Sequence, residues 1–129
     1  MKLKIDFTDF SINNKVEIQD IYSSVRYWSQ PDFSYKHRVH IYSDSNNEIG
    51  YIQYKVTSNQ NGNIICYPND NIADISELSC IKIDDLHIRI LDKDSEIGNI
   101  EYLGDDIFIS INNSDIIDMY ILFIYTLLF

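Results

Sequence analysis

The segment that decides the fold is Met119-Tyr-Ile-Leu-Phe-Ile-Tyr-Thr-Leu-Leu-Phe129, eleven residues without a charge, a glycine or a proline. A stretch this apolar must be buried, because an exposed apolar surface of this size is unfavourable in water. Asp115 and Asp118 lie where the first turn of a helix would favour anions, and Ser114 or Asp115 fits as the N-cap. We therefore expect an apolar C-terminal helix over residues 115–129.

A membrane anchor is the alternative interpretation of this segment. The apolar run counted from Ile116 has fourteen residues, contains Asp118, and has no Lys or Arg beside it. A helix that crosses a bilayer needs about 20 predominantly apolar residues. We therefore expect the segment to be buried inside the protein.

The sequence before residue 115 is typical of a β protein. Ile, Val and Tyr are frequent, and clusters of Asn, Asp, Ser and Gly interrupt them at short intervals. The 129 residues suffice for a single domain, 1–129, with its own core. We predict a mainly β fold, in which a compact antiparallel barrel-like sheet encloses the apolar C-terminal helix. The predicted strands are Lys2–Phe7, Lys15–Gln19, Tyr22–Trp28, Arg38–Ser43, Glu48–Thr57, Asn63–Tyr67, Glu77–Ile83, Leu86–Leu91, Ile97–Leu103 and Ile107–Asn112.

An internal repeat runs through the predicted strands. Glu48-Ile-Gly-Tyr-Ile-Gln-Tyr54 matches Glu96-Ile-Gly-Asn-Ile-Glu-Tyr102, and each is preceded by a strand and an acidic polar turn. The preceding strands are Val39-His-Ile-Tyr42 and Leu86-His-Ile-Arg89. The offset is 47 residues at the strand and 48 at the Glu-Ile-Gly, so we expect the second hairpin loop to be one residue longer.

Two residue types within the repeat have structural consequences. Gly50 and Gly98 are predicted to mark a bulge or a sharp bend where the sheet curves. His40 and His87 occupy matching positions in this alignment, each flanked by apolar residues that should face inward. We therefore expect both histidines on the outer face.

These features resemble the tubby C-terminal-like superfamily, which includes the phospholipid scramblases and small plant and bacterial relatives. The resemblance rests on hairpins of the type Ile88-Arg-Ile-Leu-Asp-Lys-Asp-Ser-Glu-Ile-Gly-Asn-Ile100 and on the terminal segment Asp115–Phe129, and its better half covers residues 37–129. It implies a closed antiparallel β-barrel around an apolar C-terminal helix. Some members bind phosphoinositides through clustered Lys and Arg, so the resemblance also implies a lipid- or membrane-binding module.

Charge is distributed unevenly along the chain. Residues 1–60 contain seven Lys or Arg and seven Asp or Glu, whereas residues 61–129 contain three basic and thirteen acidic residues, which gives the net charge of −10. An acidic body repels nucleic acid and anionic lipid, and it accelerates association with basic protein surfaces. We expect a protein partner with a basic surface and no nucleic-acid partner. A membrane surface is the second alternative.

The acidic side chains of the second half fall mainly at predicted turns, where Asp is common. A calcium loop starting at Asp92 would need Gly and Glu where Ile97 and Leu103 stand. No nucleophile motif or glycine-rich phosphate loop is present in the sequence. We predict no catalytic residue, no metal and no cofactor, and we treat the acidic residues as candidates for partner binding. They are Asp84, Asp85, Asp92, Asp94, Glu96, Asp105 and Asp106.

The most distinctive surface candidate is the segment Arg26–Arg38, which contains the only Trp, three other aromatic residues and the densest basic residues. Pro31 places a loop near its centre, and Trp, Tyr and Arg are enriched at binding hot spots. The alternative is that its aromatic rings plug one end of a barrel. The candidate binding residues are Arg26, Tyr27, Trp28, Phe33, Tyr35, Lys36 and Arg38.

The remaining features concern location and function. The residues Met1–Phe7 lack the apolar run of a signal peptide, and Cys66 and Cys80 have no metal-binding spacing, so we expect a cytoplasmic protein with reduced thiols. The function that we predict is a non-enzymatic protein-binding module of the inhibitor or immunity-protein type, whose acidic half binds a basic partner. The alternative is a phospholipid or membrane-surface binding module of the tubby-like type.

Overall fold

The fold is one antiparallel β-sheet and one helix in a computed structural model, which describes residues 1–6, 14–56, 62–69, 75–112 and 117–128. All ten predicted strands are present, most of them within one or two residues of their predicted bounds. Part of the predicted N-cap and first turn of the helix, residues 114–116, lies outside the described residues. The elements are β1 (Lys2–Asp6), β2 (Val16–Asp20), β3 (Val25–Pro31), β4 (Arg38–Ser43), β5 (Glu48–Val56), β6 (Gly62–Pro68), β7 (Leu78–Asp84), β8 (His87–Asp92), β9 (Ser95–Leu103), β10 (Asp106–Ile111) and α1 (Ile117–Leu128).

The strands are ordered β6-β5-β4-β3-β2-β1-β10-β9-β8-β7. Each neighbour in this order is also a neighbour along the chain, except that β1 pairs with β10, which joins the two ends of the sequence. Within the described part of the chain, β6 and β7 are the two edges and do not pair with each other. Among the described residues, hydrogen bonding between the two edge strands therefore does not close this barrel-like sheet.

Helix α1 is buried on every side, which is why the sheet must curve around it. The four consecutive residues Met119–Leu122 point in four directions around the helix axis, yet none is more than 6% exposed. Ile124 and Tyr125 are completely buried. The prediction that an antiparallel sheet encloses an apolar helix is confirmed.

The strands bury alternate residues against this helix, as expected for a sheet with one covered face. Leu3 and Ile5 of β1 lie beside Ile107 and Ile109 of β10, and all four are fully buried. The same alternation is present in the other strands except the two edge strands β6 and β7, where it is lost. The other buried apolar residues of the strands are Val16, Ile18, Tyr27, Val39, Ile41, Ile49, Ile52, Leu78, Ile90, Ile100 and Ile111.

The third strand begins later than its composition predicted, at Val25 instead of Tyr22. The carboxylate of Asp20 accepts hydrogen bonds from the backbone N–H groups of Tyr22, at 2.8 Å, and of Ser24, at 3.0 Å. This Asx-type turn uses a residue with positive φ, Ser23, and it competes with strand pairing for the same backbone groups. Tyr22 consequently stands in a turn and is 82% exposed.

Both copies of the repeat contain a bulge at the Glu-Ile-Gly sequence, as predicted. Ile41 pairs with Gly50 and Tyr42 with Glu48, which leaves Ile49 as the extra residue. The same shift in β9 leaves Ile97 between its paired neighbours. A Cβ atom on Gly98 would lie 2.2 Å from the carbonyl oxygen of Ser110, so the close approach of the next strand requires glycine there.

The register corrects our alignment of the strands before each bulge. Ile41 pairs with the first glycine and Ile90 with the second, so these two residues are equivalent. The first hairpin, not the second, is therefore longer by one residue. As a result His40 is equivalent to Arg89 and not to His87. Both of these side chains pair with the Glu of their own Glu-Ile-Gly, His40 with Glu48 and Arg89 with Glu96.

One polar contact connects the sheet to the start of the helix. Tyr27 is 5% exposed, and its hydroxyl donates a 2.5 Å hydrogen bond to a carboxylate oxygen of Asp118 in the first turn of α1. Burial and the neighbouring carboxylate both raise the pKa of Tyr27, so the hydroxyl remains a donor. Among the described residues, no helix combines the length and the apolar character that crossing a membrane would need.

Truncation of a helix residue should expose the dependence of the fold on α1. We expect Leu122→Ala, at a fully buried position, to lower the free energy of unfolding by roughly 2–5 kcal/mol in urea denaturation. Leu103→Ala is the matched control, since Leu103 is 49% exposed. It should change stability by less than about 0.5 kcal/mol. Equal losses for the two variants would contradict the enclosed position of α1.

Candidate functional site

The meander topology sorts the loops between two ends of the sheet. Because strands alternate in direction, the strand ends that flank the connections β1–β2, β3–β4, β5–β6, β7–β8 and β9–β10 lie at one end of the sheet, where Asp6 of β1 pairs with Asp106 of β10. We call this end A. The described connections at end A include the β3–β4 loop (residues 32–37), the β7–β8 turn (residues 85–86) and the β9–β10 turn (residues 104–105). The predicted aromatic loop and two predicted acidic turns therefore lie at the same end.

Four of the predicted acidic residues form one cluster at end A, which we call the acidic patch: Asp84, Asp85, Asp105 and Asp106. Their two turns are adjacent, because the N–H of Tyr102 donates to the carbonyl of Leu86 at 2.8 Å. Asp85 is 97% exposed.

Apolar side chains accompany the acidic patch. Leu86 is 52% exposed and follows Asp85 in the chain, and Leu103 is 49% exposed and pairs across the strands with Asp106. Ile81 and Ile83 on β7 are also about half exposed, at 47% and 55%. Exposed apolar groups surrounded by charge are characteristic of protein-binding surfaces, since the apolar part is desolvated and the charged rim orients the partner.

Asp84 organises the β7–β8 turn. Its carboxylate accepts hydrogen bonds from the ring of His87, at 2.8 Å, and from the N–H of Leu86, also at 2.8 Å. The bond from His87, followed by the backbone bond, holds the pKa of Asp84 below its usual value. Asp84 is thus engaged within the turn, whereas Asp85 projects into solvent and lies 3.5 Å from the amine of Lys82.

The other predicted acidic residues, Asp92, Asp94 and Glu96, lie at the opposite end of the sheet, in and beside the β8–β9 turn. Glu96 is paired with Arg89 at 3.1 Å. The structure therefore separates these three residues from the acidic patch. Among the residues described, no group of His, Cys, Asp or Glu has the arrangement of a metal site.

A second surface is formed by aromatic and basic side chains on the outer face of β3–β6, which we call the aromatic face: Trp28, His40, Tyr42, Tyr51, Tyr67 and Arg38. Trp28 stacks on its cross-strand partner Tyr42 with ring centroids 4.2 Å apart. Tyr51 stacks in the same way on Tyr67 at 4.8 Å. Such cross-strand aromatic pairs stabilise a sheet face and leave flat apolar surfaces toward solvent.

Cations cover the rings of the aromatic face. The guanidinium carbon of Arg38 lies 4.1 Å from the ring centroid of Tyr35 and 4.6 Å from that of Tyr51. The Lys15 amine lies 4.8 Å from the Trp28 ring, and the Lys55 amine donates a 2.9 Å hydrogen bond to the Tyr67 hydroxyl. Each is a cation–π or hydrogen-bond contact that orients the basic groups along this face.

His40 lies at the centre of an ionic network with Asp32 and Glu48, beside the rings of the aromatic face. Its Nε2 lies 2.5 Å from a carboxylate oxygen of Asp32, and its Nδ1 contacts the carboxylate of Glu48. Asp32 also accepts the backbone N–H groups of Ser34, at 2.7 Å, and Tyr35, at 2.8 Å. The network fixes the β3–β4 loop. Asp32, Ser34, Tyr35 and His40 line an open cleft of about 840 Å³. The other residues around this cleft are Lys15, Gln30, Pro31, Phe33 and Tyr42.

The charges in this network stabilise one another. Partial burial lowers the pKa of His40, but the hydrogen bonds to Asp32 and Glu48 and their charges outweigh it and hold the pKa above 6.5. The bond from His40, followed by the two backbone bonds, holds the pKa of Asp32 well below its usual value.

The structure divides the predicted segment Arg26–Arg38 among three environments. Arg26 approaches Asp20, at 3.8 Å, and Asp44, at 3.6 Å, away from end A. Tyr27 was predicted as a binding residue, but strand alternation places it in the core, so it is not available to a partner. The remaining residues face solvent on the aromatic face or in the β3–β4 loop, where Phe33 is fully exposed. They are Trp28, Phe33, Tyr35, Lys36 and Arg38.

Sequence reasoning missed half of the aromatic face. Tyr42, Tyr51 and Tyr67 lie in three different strands, and only the register brings them beside Trp28 and His40. The sequence of β4 could have indicated part of this face, because His40 and Tyr42 alternate with the apolar residues Val39 and Ile41, which are buried.

The two cysteines are free thiols. Cys66 is half-buried in β6, and burial raises the pKa of its thiol to about 11, while Cys80 is exposed on β7. The raised pKa keeps the Cys66 thiol protonated and unreactive near neutral pH.

The His40 network should give stability a defined pH dependence. A histidine whose pKa is raised in the folded state stabilises the fold fully below its unfolded value of about 6.5 and loses that effect as pH rises through the folded value. We expect the stability difference between the natural protein and His40→Gln to be largest below about pH 6.5 and to shrink at alkaline pH, as the pH rises through the raised pKa of His40. Urea denaturation across this range is the measurement, and Glu48→Gln should lower the pKa of His40 in NMR titration. A difference independent of pH would contradict the network.

Comparisons with known proteins locate the fold and leave the family open. No family model matches the chain, and no curated protein matches it. Among solved structures, the chain is similar to the X-ray structure of a protein from Arabidopsis thaliana, with a TM-score of 0.61 and 9% sequence identity. The match covers 98% of this chain and 88% of the plant protein. At this identity the likeness shows a shared fold alone, because one fold hosts many functions.

Proposed function

We propose that this protein is a non-enzymatic, cytoplasmic protein-binding module whose acidic patch binds a basic surface on its partner, in the manner of an inhibitor or immunity protein. The observation that supports the proposal is the juxtaposition of Asp84, Asp85, Asp105 and Asp106 with exposed Leu86 and Leu103 at end A.

The physical mechanism has two parts. A net charge of −10, concentrated in the second half of the chain, steers a basic partner toward this side of the molecule and raises the association rate. The exposed leucines then supply apolar area that is desolvated on contact, while the carboxylates form the polar rim. For the fold we further propose the tubby-like superfamily, which the barrel-like sheet around an apolar helix supports.

Neutralising the acidic patch should weaken capture of the partner. We expect Asp85→Asn/Asp105→Asn to reduce the amount of one stoichiometric partner bound from native-host lysate by about tenfold at low salt, because two rim charges are lost. Quantitative mass spectrometry of the captured proteins at two salt concentrations is the measurement. Raising salt should release the same partner from the natural protein.

A double variant in the first half provides the matched control. Glu17→Gln/Asp44→Asn removes the same charge from exposed residues outside the acidic patch and should leave capture unchanged. Equal effects of the two double variants, or capture that is independent of salt, would count against the proposal.

A membrane-surface module is the second candidate function, and one observation favours it. Phe33 is fully exposed at the β3–β4 loop, with Lys36 and Tyr35 exposed beside it and Arg38 at the start of the next strand. An apolar ring flanked by cations is suited to the interface of an anionic bilayer. The acidic patch at the same end opposes this binding, which places the candidate second.

Vesicle binding tests this candidate directly. If the loop inserts, the protein should co-sediment with phosphatidylcholine vesicles containing phosphatidylserine, and Phe33→Ala should reduce the bound fraction about threefold or more. Tyr22→Ala is the control, since Tyr22 is 82% exposed at the other end of the sheet. Absence of sedimentation with the natural protein would exclude the membrane function.

A further inference from the structure

Strand β7 is an edge of the sheet, and among the described residues only β8 pairs with it. An unpaired edge presents a row of backbone N–H and C=O groups that can accept another strand. Natural sheets usually cover or block such an edge, so an accessible one requires explanation.

The far part of the β7–β8 hairpin is open to solvent on both faces. Every residue from 79 to 87 is exposed, including residues of β7 that alternate between the two faces of the sheet. Ile81, Ile83 and Leu86 are each about half exposed, although isoleucine and leucine are usually buried. The hairpin therefore combines an open edge with exposed apolar side chains.

The opposite edge, β6, differs in accessibility. Residues 64–68 of β6 are half-buried, and the partly buried Ile64 and Cys66 pack against the core. Tyr67 is covered by Tyr51 and Lys55. Of the two edges of the described sheet, β7 is consequently the one that a partner can reach along most of its length.

Charge identifies the kind of strand that β7 can accept. The hairpin and the adjacent turns contain Glu77, Asp84, Asp85, Asp105 and Asp106, whereas the basic Lys82 and Arg89 are each engaged with a carboxylate, Asp85 and Glu96. An incoming segment with basic side chains is attracted to this edge, and a second acidic copy of this chain is repelled.

From these three observations we propose that β7 is a docking strand, which binds an extended, basic segment of a partner protein by adding it to the sheet. Backbone hydrogen bonds along the edge supply affinity, Ile81 and Ile83 contact alternate apolar side chains, and the acidic patch selects basic ones. This inference rests on the proposed function and deepens it, since it specifies how the partner is held.

Two synthetic peptides measure how much backbone hydrogen bonds contribute to the binding of an added strand. The probe is acetyl-Lys-Val-Lys-Val-Lys-Val-Lys-amide, compared with the same peptide carrying N-methyl groups on its three valines. The two peptides have equal charge, but the methylated one cannot donate those hydrogen bonds. Fluorescence anisotropy at low salt should give a dissociation constant about tenfold or more weaker for the methylated peptide.

Amide hydrogen exchange locates the contact. In the free protein, alternate amides of residues 79–83 should exchange rapidly because they face away from β8, and the unmethylated peptide should slow them. Ile81→Ser should weaken peptide binding about fivefold, while Ile21→Ser, at a residue 65% exposed elsewhere, should leave it unchanged.

Two groups of results overturn the inference. Equal binding of both peptides, or no binding, would exclude strand addition and yet leave salt-sensitive partner capture by the acidic patch intact. Slow exchange of all β7 amides in the free protein, or a dimer in light scattering that the peptide fails to dissociate, would show that another strand already occupies the edge. Loss of capture in the Asp85→Asn/Asp105→Asn variant without any effect of N-methylation separates the two proposals.

Discussion

The structure depends on the need to bury a helix that is apolar on every side. A flat sheet can cover only one face of α1, so Met119–Leu122 can all be buried only if the sheet curves around the helix. Curvature in turn needs the bulges at Ile49 and Ile97 and the close strand approach that Gly98 permits. Burial of the helix therefore depends on the bulges and the glycines of the repeat, because these allow the sheet to curve.

Enclosing the helix has a consequence for the surface. In most strands the inward side chains form the core, so the outward side chains can differ without disturbing it. The outward side chains of the two halves of the sheet differ in chemistry. The half containing β3–β6 presents stacked rings and cations, whereas the half containing β7–β10 presents carboxylates and exposed apolar residues. The β3–β4 loop of the first half and the β7–β8 and β9–β10 turns of the second half lie at the same end of the sheet, end A.

The sites were less predictable than the fold for a physical reason. Alternation, turn residues and apolar length are local signals, so they located all ten strands and the helix. Binding surfaces are assembled across strands, and a shift of one residue moves a side chain to the other face. We therefore predicted Tyr27 as a surface binding residue, although it is buried. His40 was correctly expected to face outward, but its contacts with Asp32 and Glu48 were not predicted.

Local patterns in the sequence suffice to predict the ten strands, the buried helix, the bulges beside Gly50 and Gly98 and the acidic second half, because each depends on composition or on spacing within a few residues. Which side chains lie next to one another depends instead on how the strands pair. The register grouped Asp84 and Asp85 with Asp105 and Asp106 and separated them from Asp92. It also left β7 as an accessible edge, because strand order follows from long-range pairing, such as β1 with β10, that no local pattern encodes.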